Sequence, residues 1–540
     1  MSDTQVLITG AGPTGLVLAI WLGRLGVRVR IVDQTAEPGT TSRALVIHAR
    51  TLEFYRQVGL AEATVERALE MTSVNLWAKG KKAAHVVFGA LGQGLSPFPY
   101  MLIFPQDEHE RLLIEHLAKH GVQVERRTQL LSFEDSGGRV LARLRRPDGT
   151  EEACEAAYLA GCDGARSTVR EVLGAGFLGG TYFHLFYVAD VQASGPVMNG
   201  ELNAALDDTD FLAVFPMKGA GRARLIGIVR QAAEAEPEEV SWDDVTKGVI
   251  GRLGITVEQV NWFSTYRVHH RVADRFRRGR AFLLGDAAHI HSPVGGQGMN
   301  TGIGDAVNLA WKLAAVLHGR AEPALLDTYE PERIAFARRL VATTDRAFTV
   351  VTSSGPIARL VRVDLVPRLL PALFALRSFR RLMFRTVSQI AVNYRGSSLS
   401  EGRAGSVRGG DRLPWVSAGG TSDIGSDNFS PLTSLDWQVH VYGAAAASLS
   451  EVCARRGLAL HTFPWQSATS RKGLVRGAVY LVRPDGYVGL ADLEASPARV
   501  ERYLDSRCCP GASAGDGLCS EGASFVTGQT FAVDGGYTAQ

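Results

Sequence analysis

Glycine-rich segments carry the residues best suited to chemistry. Near the start, the apolar run from Gln5 to Thr9 leads into Gly10, Ala11, Gly12, Pro13, Thr14 and Gly15, followed by the helical pattern LVLAIWLGRLG. This is GxGxxG between a strand and a helix. Gly10 suits the tight turn, Gly12 lets backbone approach a pyrophosphate, Gly15 lets the helix pack on the sheet, and the helix N-terminus faces the anion. A second strand, VRVRIVD, ends in Asp33, placed to accept hydrogen bonds from a ribose. The pattern points to an adenine dinucleotide, because a ligand-free glycine turn leaves the acid at the end of the second strand unexplained. The motif alone does not separate NAD from FAD.

Two later segments extend the grip. In RAFLLGDAAHIHSPVGGQGMNTGIGDAVNLAWKLA, Arg280 to Ala314, a buried strand ends at Gly285 and Asp286, and a glycine-rich loop opens a long apolar helix. Free backbone N–H groups at that helix start suit a second polar or anionic part of a long ligand. Between these lies YLAGCDGARSTVR, with Asp163 and Gly164 at a strand-to-turn junction and Arg166 and Arg170 following. A lone Asp-Gly is an ordinary turn; its place between the other two motifs gives it meaning.

On these residues the chain resembles the class A flavoprotein aromatic hydroxylases, the family of p-hydroxybenzoate hydroxylase and phenol hydroxylase. The matching elements are GAGPTG at Gly10, SRALVIHARTLE at Ser42, FPQDEHERLL at Phe104, GCDGARSTVR at Gly161, GDAAH...GQGMN from Gly285 to Asn300, and YEPER from Tyr329 to Arg333. They run in order over roughly the first 410 residues. The resemblance implies FAD at the GxGxxG and GD motifs, with the DG motif linked to FAD and NAD(P)H. It implies Asp33 on the adenosine ribose, Arg43 and Gln106 as cofactor contacts, and Asp286 on the ribityl or pyrophosphate region. The family's usual second-strand Glu is Asp here, one methylene shorter.

The same resemblance implies the reaction. NADPH or NADH reduces the flavin, O₂ adds to give a hydroperoxyflavin, and its terminal oxygen attacks an electron-rich ring, so the protein positions the ring, promotes phenolate character and excludes water. Pro293 matches a position whose carbonyl lies near the substrate phenol and the flavin edge. Gly295, Gly296 and Gly298 allow backbone to approach the isoalloxazine, and Met299 and Asn300 offer N–H groups to its pyrimidine end. His48, His289 and His291 are candidate bases near a phenol, each also readable as a structural histidine. The expected substrate is a small phenolic aromatic. SRALVIHART, HIHSPVGGQGMN and VNYRGSSLSE look nearer the halophenol and nitrocatechol type, which displaces a ring substituent; hydroxylation of an aromatic polyketide is the alternative, and a flavin oxidase or dehydrogenase that inserts no oxygen is the alternative of another class.

The elements that must position these residues form an α/β chain: a Rossmann-like FAD-binding domain of the p-hydroxybenzoate hydroxylase type (residues 1–180 and 267–399), an inserted antiparallel-sheet substrate domain (181–266) and a thioredoxin-like domain without CxxC (400–507). YFHLFYVADVQ, DFLAVFPMKG and RARLIGIVRQ alternate as antiparallel strands, with Tyr182, His184, Phe215 and Arg224 as candidate pocket residues. Residues from about Glu322 to Tyr394 read as helices, including a basic amphipathic stretch interrupted by Pro367 and Pro371. That stretch is expected to pack on the flavin domain or a sister subunit rather than touch a membrane. In the C-terminal part WQVHVYG, ALHTFPW and GAVYLVRPDGYVGL read as strands, with a hairpin turn at Gly486.

Composition bounds the rest. At 540 residues the chain needs several cores, and 46% apolar with 21% charged residues excludes a disordered or coiled-coil protein. A net charge of +3 is too small for a nucleic-acid-coating protein. Six cysteines make no CxxC and no zinc spacing, which points to a reducing cytoplasm and no metal. The uncharged stretch from Thr4 to Gly23 is read as strand and helix, not as a signal or membrane segment. A homodimer is a family expectation. After the composition break at Cys508, residues 508–540 end in SFVTGQTFAVDGGYTAQ, which resembles the carboxyl end of short-chain dehydrogenases; no YxxxK exists anywhere in the chain, so that catalysis is excluded.

Overall fold

The computed structural model describes residues 4–39, 44–88, 91–206, 211–229, 240–245, 247–292, 294–352, 360–417 and 427–507. The short-chain-dehydrogenase-like tail lies outside them, as do Arg43 and Pro293. Among the described residues no helix is long and apolar enough to cross a membrane, and no group of His, Cys, Asp and Glu could hold a metal ion.

The central sheet has six strands in the order Arg277–Arg278, Ala281–Leu283, Tyr158–Gly161, Val6–Thr9, Val29–Val32 and Val124–Glu125. All pairs are parallel except that of the first edge strand. Buried on both faces, its inner strands are continuous apolar runs. The GxGxxG turn leads from Val6–Thr9 into helix α1 (Pro13–Arg24), which has Pro at its first position, where no N–H is needed. Helices α2 (Ala49–Gln57), α3 (Gln106–Lys119), α4 (Gly298–Leu317) and α5 (Tyr329–Thr352) complete this layer. Leu16, Leu18, Ile303, Val307 and Ala310 from α1 and α4 share one core with the sheet.

A second sheet of eight strands runs His289–Ile290, Thr256–Ala273, Phe177–Ser194, Arg222–Val229, Phe211–Pro216, Leu202–Leu206, Ser73–Ala78 and Lys81–Val87. It is broader than the Thr181–Tyr266 segment alone. It recruits two strands from the first part of the chain, and its Leu202–Leu206/Ser73–Ala78 pair is parallel. Leu185, Tyr187, Ala189, Leu212 and Leu225 fill a core on one face. Register puts Phe186, Tyr266 and Ile228, with Asp190, Arg224 and Trp262, together on the other face, which Arg224 ties to Ala44 of the first layer.

Helices α6 (Val366–Ala375) and α7 (Arg377–Val387) fulfil the helical expectation. The prolines do not interrupt them as anticipated: Pro367 occupies the first turn of α6 and Pro371 lies inside it. Val366, Leu370 and Phe374 of α6 pack on Val74, Leu76, Ala84 and Val86 of the second sheet, and Phe384 of α7 joins the main core.

The C-terminal sheet runs Val407–Arg408, Glu401–Ala404, Val488–Asp492, Val479–Val482, Gln438–Tyr442 and Ala459–Phe463. Helices α8 (Ala447–Arg455) and α9 (Pro497–Arg507) pack on it through Leu449, Cys453, Val500 and Tyr503. Gly486 makes the expected turn at φ +75°. This unit is joined to the rest by buried charges. Glu332 of α5 receives a two-pronged contact from Arg483, at 2.7 and 3.0 Å, and a 2.8 Å bond from Lys312 of α4. Arg483 also pairs with Asp485, and Glu53 of α2 with Arg50 and Arg412. Arg56 meets Asp427 at 2.7 Å.

Candidate active site

At the start of α1, Gly10 has φ +98°. A Cβ there would lie 2.2 Å from the Cys162 carbonyl oxygen, whereas one at Gly12 would meet nothing within 4 Å. Gly10 is therefore demanded by protein packing, and Gly12 leaves open space over the unpaired N–H groups of the first helical turn. The Asp33 carboxylate accepts from Ala11 N–H at 2.6 Å and from the Thr35 N–H and hydroxyl at 2.7 and 2.5 Å. It thus fixes the turn between the first strand and α1. Gln106 accepts from Ala44 N–H at 3.1 Å and donates to Glu110, whose other oxygen takes Gly39 N–H. These bonds hold both ends of the segment that carries Arg43. Burial raises the Glu110 carboxyl above its ordinary value.

The distant motifs converge on the same point. Gly285 follows the Ala281–Leu283 strand, and Asp286 is exposed at its tip. A Cβ on Gly302 of α4 would lie 2.3 Å from the Thr14 hydroxyl oxygen, so α1, the GD turn and α4 close on one another. Asp163 accepts from the Ser167 hydroxyl at 2.5 Å and from Val169 N–H at 3.1 Å, and burial raises its carboxyl against those bonds. Arg170 then donates to Ala287 O at 3.1 Å, tying the DG motif to the GD motif. Beneath lies a pair of residues not anticipated as part of the site. Asp305 accepts from Gly285 N–H at 3.0 Å, His289 Nε2 at 2.7 Å and Arg333 Nε at 2.6 Å. Burial would raise the Asp305 carboxyl, but Arg333 and His289 hold it below its ordinary value. The signal was present in YEPER, which ends at Arg333; which acid it meets is set by tertiary packing. His289 is structural.

The loop before α4 holds Gly295 and Gly296 at positive φ. His48 is fully buried, and its Nε2 lies 2.8 Å from the Gly295 carbonyl. A carbonyl only accepts, so Nε2 carries the proton and Nδ1 is bare, without a partner. Burial pulls the ring down to about 4. The Asn300 side chain accepts from His48 N–H and the Thr51 hydroxyl and donates to the carbonyls of Val46 and Gly296. Its side chain is a brace, leaving the backbone N–H groups of Gly298, Met299 and Asn300 in the first turn of α4 for a ligand. His291 bonds the Ser292 carbonyl at 2.9 Å and is pulled down to about 4 by burial. His48 thus positions the loop. Without that donor, in His48→Leu, kcat/KM falls by roughly tenfold, the worth of one hydrogen bond, while the pH profile keeps its shape because the ring is neutral throughout the working range. An inflection near the ordinary histidine value that vanishes in the variant would instead make His48 the base.

Residues 3–344 match the FAD binding domain family. Over 412 residues the chain is 38% identical to 6-methylpretetramide 4-monooxygenase of Streptomyces rimosus, covering 75% of this chain and 72% of that one. It belongs to the FAD-dependent aromatic hydroxylases. Pentachlorophenol 4-monooxygenase of Sphingobium chlorophenolicum is 32% identical over 420 residues, 76% of each chain. The solved structure of anhydrotetracycline hydroxylase from Streptomyces rimosus superposes with a TM-score of 0.76 at 28% identity, covering 94% of this chain and 99% of that one. The open space at Gly12, the free first-turn donors of two helices and the acids at two strand tips suit a long, twice-anionic dinucleotide such as FAD.

In the hydroxylase, the second sheet turns an aromatic face toward this cradle. Phe186 and Tyr266 have ring centroids 6.1 Å apart, and Tyr182, Phe211 and Ile228 pack with them. Tyr182 also lies against His270, and burial lowers the half-buried His184. Phe215, at one end of that face, packs on Leu45, Val46 and Met101. Arg224, expected among the pocket residues, is a strut. It is 0% exposed, makes two bonds to Asp190 at 2.6 and 2.8 Å and donates to Ala44 O. Its charge is spent on holding the second sheet to the first layer.

Proposed function

We propose that this monooxygenase uses NADPH or NADH and O₂ to hydroxylate a polycyclic phenolic ring of the aromatic polyketide type. The supporting observation is the breadth and apolarity of the sheet face opposite the cradle. Half-buried Phe211, Phe215, Ile226, Ile228, Trp262 and Tyr266 line it together with buried Phe186, and its buried arginine is already neutralised by Asp190. Such a wall suits a flat, largely uncharged, multi-ring substrate better than a small carboxylated one. The names of 6-methylpretetramide 4-monooxygenase and anhydrotetracycline hydroxylase agree with that reading. A single-ring phenol that loses a substituent is the second reading, favoured by the pentachlorophenol relative.

FAD, once reduced, supplies the activation of O₂; the side chains hold and orient. The first turns of α1 and α4, with Asp33 and Asp286, would hold the dinucleotide, and Pro293 would set its carbonyl beside the phenol. His48 and Asn300 fix the loop under the ring system, and the sheet face excludes water. The C-terminal unit, in β-α-β then β-β-α order, we read as thioredoxin-like, with buried Cys453 as the one cysteine among its described residues and therefore no dithiol there. The test is NADPH and NADH oxidation by the yellow protein against polycyclic phenols, single-ring phenols and nitrocatechols, with product mass and released nitrite or halide recorded. Gain of one oxygen on a polycyclic phenol is the expected result. Turnover confined to single rings with halide or nitrite release would select the second reading, and substrate oxidation without oxygen gain would overturn both.

A further inference from the structure

Beyond the active site, α6 and α7 carry an outer face rich in exposed leucine and arginine. Their inner faces are covered, but Leu365, Leu369, Leu373 and Leu376 are 46%, 50%, 38% and 55% exposed and recur at helical spacing along and just beyond the two ends of α6. Leu360, before α6, and Leu382, on α7, are also exposed. On α7 the exposed residues Arg377, Arg381 and Arg385 recur every four residues and so form one stripe. No carboxylate of the described residues pairs with any of the three. The basic surface continues into the C-terminal unit, where Lys472 lies beside Arg381 and Arg471, and burial and these cations pull its amine down to about 8.

Soluble proteins rarely leave so many leucines in one exposed patch, and the flanking charge discriminates between the things that could cover it. A second copy docked about a two-fold axis would bring the same arginine stripe from both chains to one interface, at a repulsive cost. An anionic lipid surface accepts both features together, leucines into the acyl boundary and arginines onto the headgroups. We propose that the α6–α7 face docks the hydroxylase on anionic membranes. The earlier expectation that this segment stays away from membranes rested on the prolines, which the helices accommodate. Because α6 covers the edge of the substrate sheet, docking would bring the site close to apolar compounds dissolved in the bilayer; that consequence, unlike the docking itself, rests on the polycyclic reading.

The test is co-sedimentation of the full flavin-loaded chain with vesicles of pure phosphatidylglycerol and of pure phosphatidylcholine, alongside its mass in solution. Binding to phosphatidylglycerol is expected, with little to phosphatidylcholine and release by high salt. The triple variant Arg377→Glu, Arg381→Glu, Arg385→Glu should weaken it by at least about a hundredfold. Leu369→Glu with Leu373→Glu should abolish it while keeping flavin content and turnover of a water-soluble phenol, which separates docking from folding and from the substrate assignment. Equal binding of both lipids, no binding by the wild-type chain, or a dimer that the leucine variant converts to monomer would overturn the proposal, the last by assigning the face to a second copy.

Discussion

Gly12→Val is expected to give a folded protein that purifies almost without flavin, whereas Gly10→Ala should fail at folding itself. The two glycines stand two residues apart in one motif, yet their surroundings differ. A side chain at Gly10 meets the Cys162 carbonyl oxygen at 2.2 Å and must adopt φ +98°, a conformation that costs an L-residue about 1–3 kcal/mol before any clash. A side chain at Gly12 meets no protein atom within 4 Å, so the apo fold tolerates it. The space it fills is the one a pyrophosphate needs to reach the first-turn N–H groups of α1. Losing two hydrogen bonds to a charged group costs about 3 kcal/mol or more, which is roughly a hundredfold in affinity. The check is the ratio of flavin to protein absorbance on purification, FAD titration of the apo form, and its thermal unfolding midpoint. A Gly12→Val protein that retains FAD at wild-type affinity would move the pyrophosphate away from α1, and one that does not fold would make Gly12 a packing residue like Gly10.

This difference between neighbouring glycines marks where sequence reasoning ends. The strand, turn and helix around Gly10 follow from a local pattern, and so do the strand tips at Asp33 and Asp286, because apolar runs and glycines constrain only their near neighbours. Three of the four second-sheet strands between Phe177 and Val229 were legible from alternation, and four of the six C-terminal strands from their own segments, whereas Leu202–Leu206, Glu401–Ala404 and Val407–Arg408 were not read. The contribution of Ser73–Ala78 and Lys81–Val87 to the substrate sheet was not, since pairing between strands more than a hundred residues apart leaves no periodic trace in either. Arg224 shows the same limit at a single residue. Its place in an alternating strand is visible, but whether its charge faces a substrate or Asp190 depends on a partner brought from another strand. His48 and Asn300 illustrate a subtler case. Sequence offered His48 as a base and Asn300 as a cofactor contact, but their side chains are occupied with Gly295, Thr51, Val46 and Gly296, which makes them braces of the loop before α4. Residues that support a site are harder to see than those that form it, because a brace needs only one compatible partner and many residue types can supply it.

The brace with the largest stake in stability is Glu332, and Glu332→Gln is expected to lower the unfolding free energy by about 3–5 kcal/mol, the usual cost of removing one side of a buried ion pair. Glu332, Lys312 and Arg483 side chains are each 0% exposed. The carboxylate also accepts from Asn308 and Ser397, so every lone pair is used, and a neutral amide would turn two donors of its own toward cations. Lys312 can shed its proton, since burial already pulls its amine down to about 8 against the pull of Glu332 and Asp485. Arg483 cannot, and it retains only Asp485. Burial opposes the Glu332 charge, but Arg483 and Lys312 hold its carboxyl well below its ordinary value of 4.5. A folded-state value below the unfolded one contributes stability that is complete above the unfolded value and is lost as pH falls toward the folded one. The wild-type hydroxylase should therefore lose stability progressively below about pH 4.5, and Glu332→Gln should be less stable at neutral pH yet show a flatter decline in acid. Urea unfolding of the flavin-loaded protein at neutral and acid pH measures both. Since Glu332 joins α4 and α5 to the C-terminal unit through Arg483, the variant should also expose the segment between α7 and the Glu401–Ala404 strand to protease before the flavin is released. A loss below about 1 kcal/mol, with the same acid slope as wild type, would show that water reaches the pair and that the C-terminal unit is held by its apolar contacts instead.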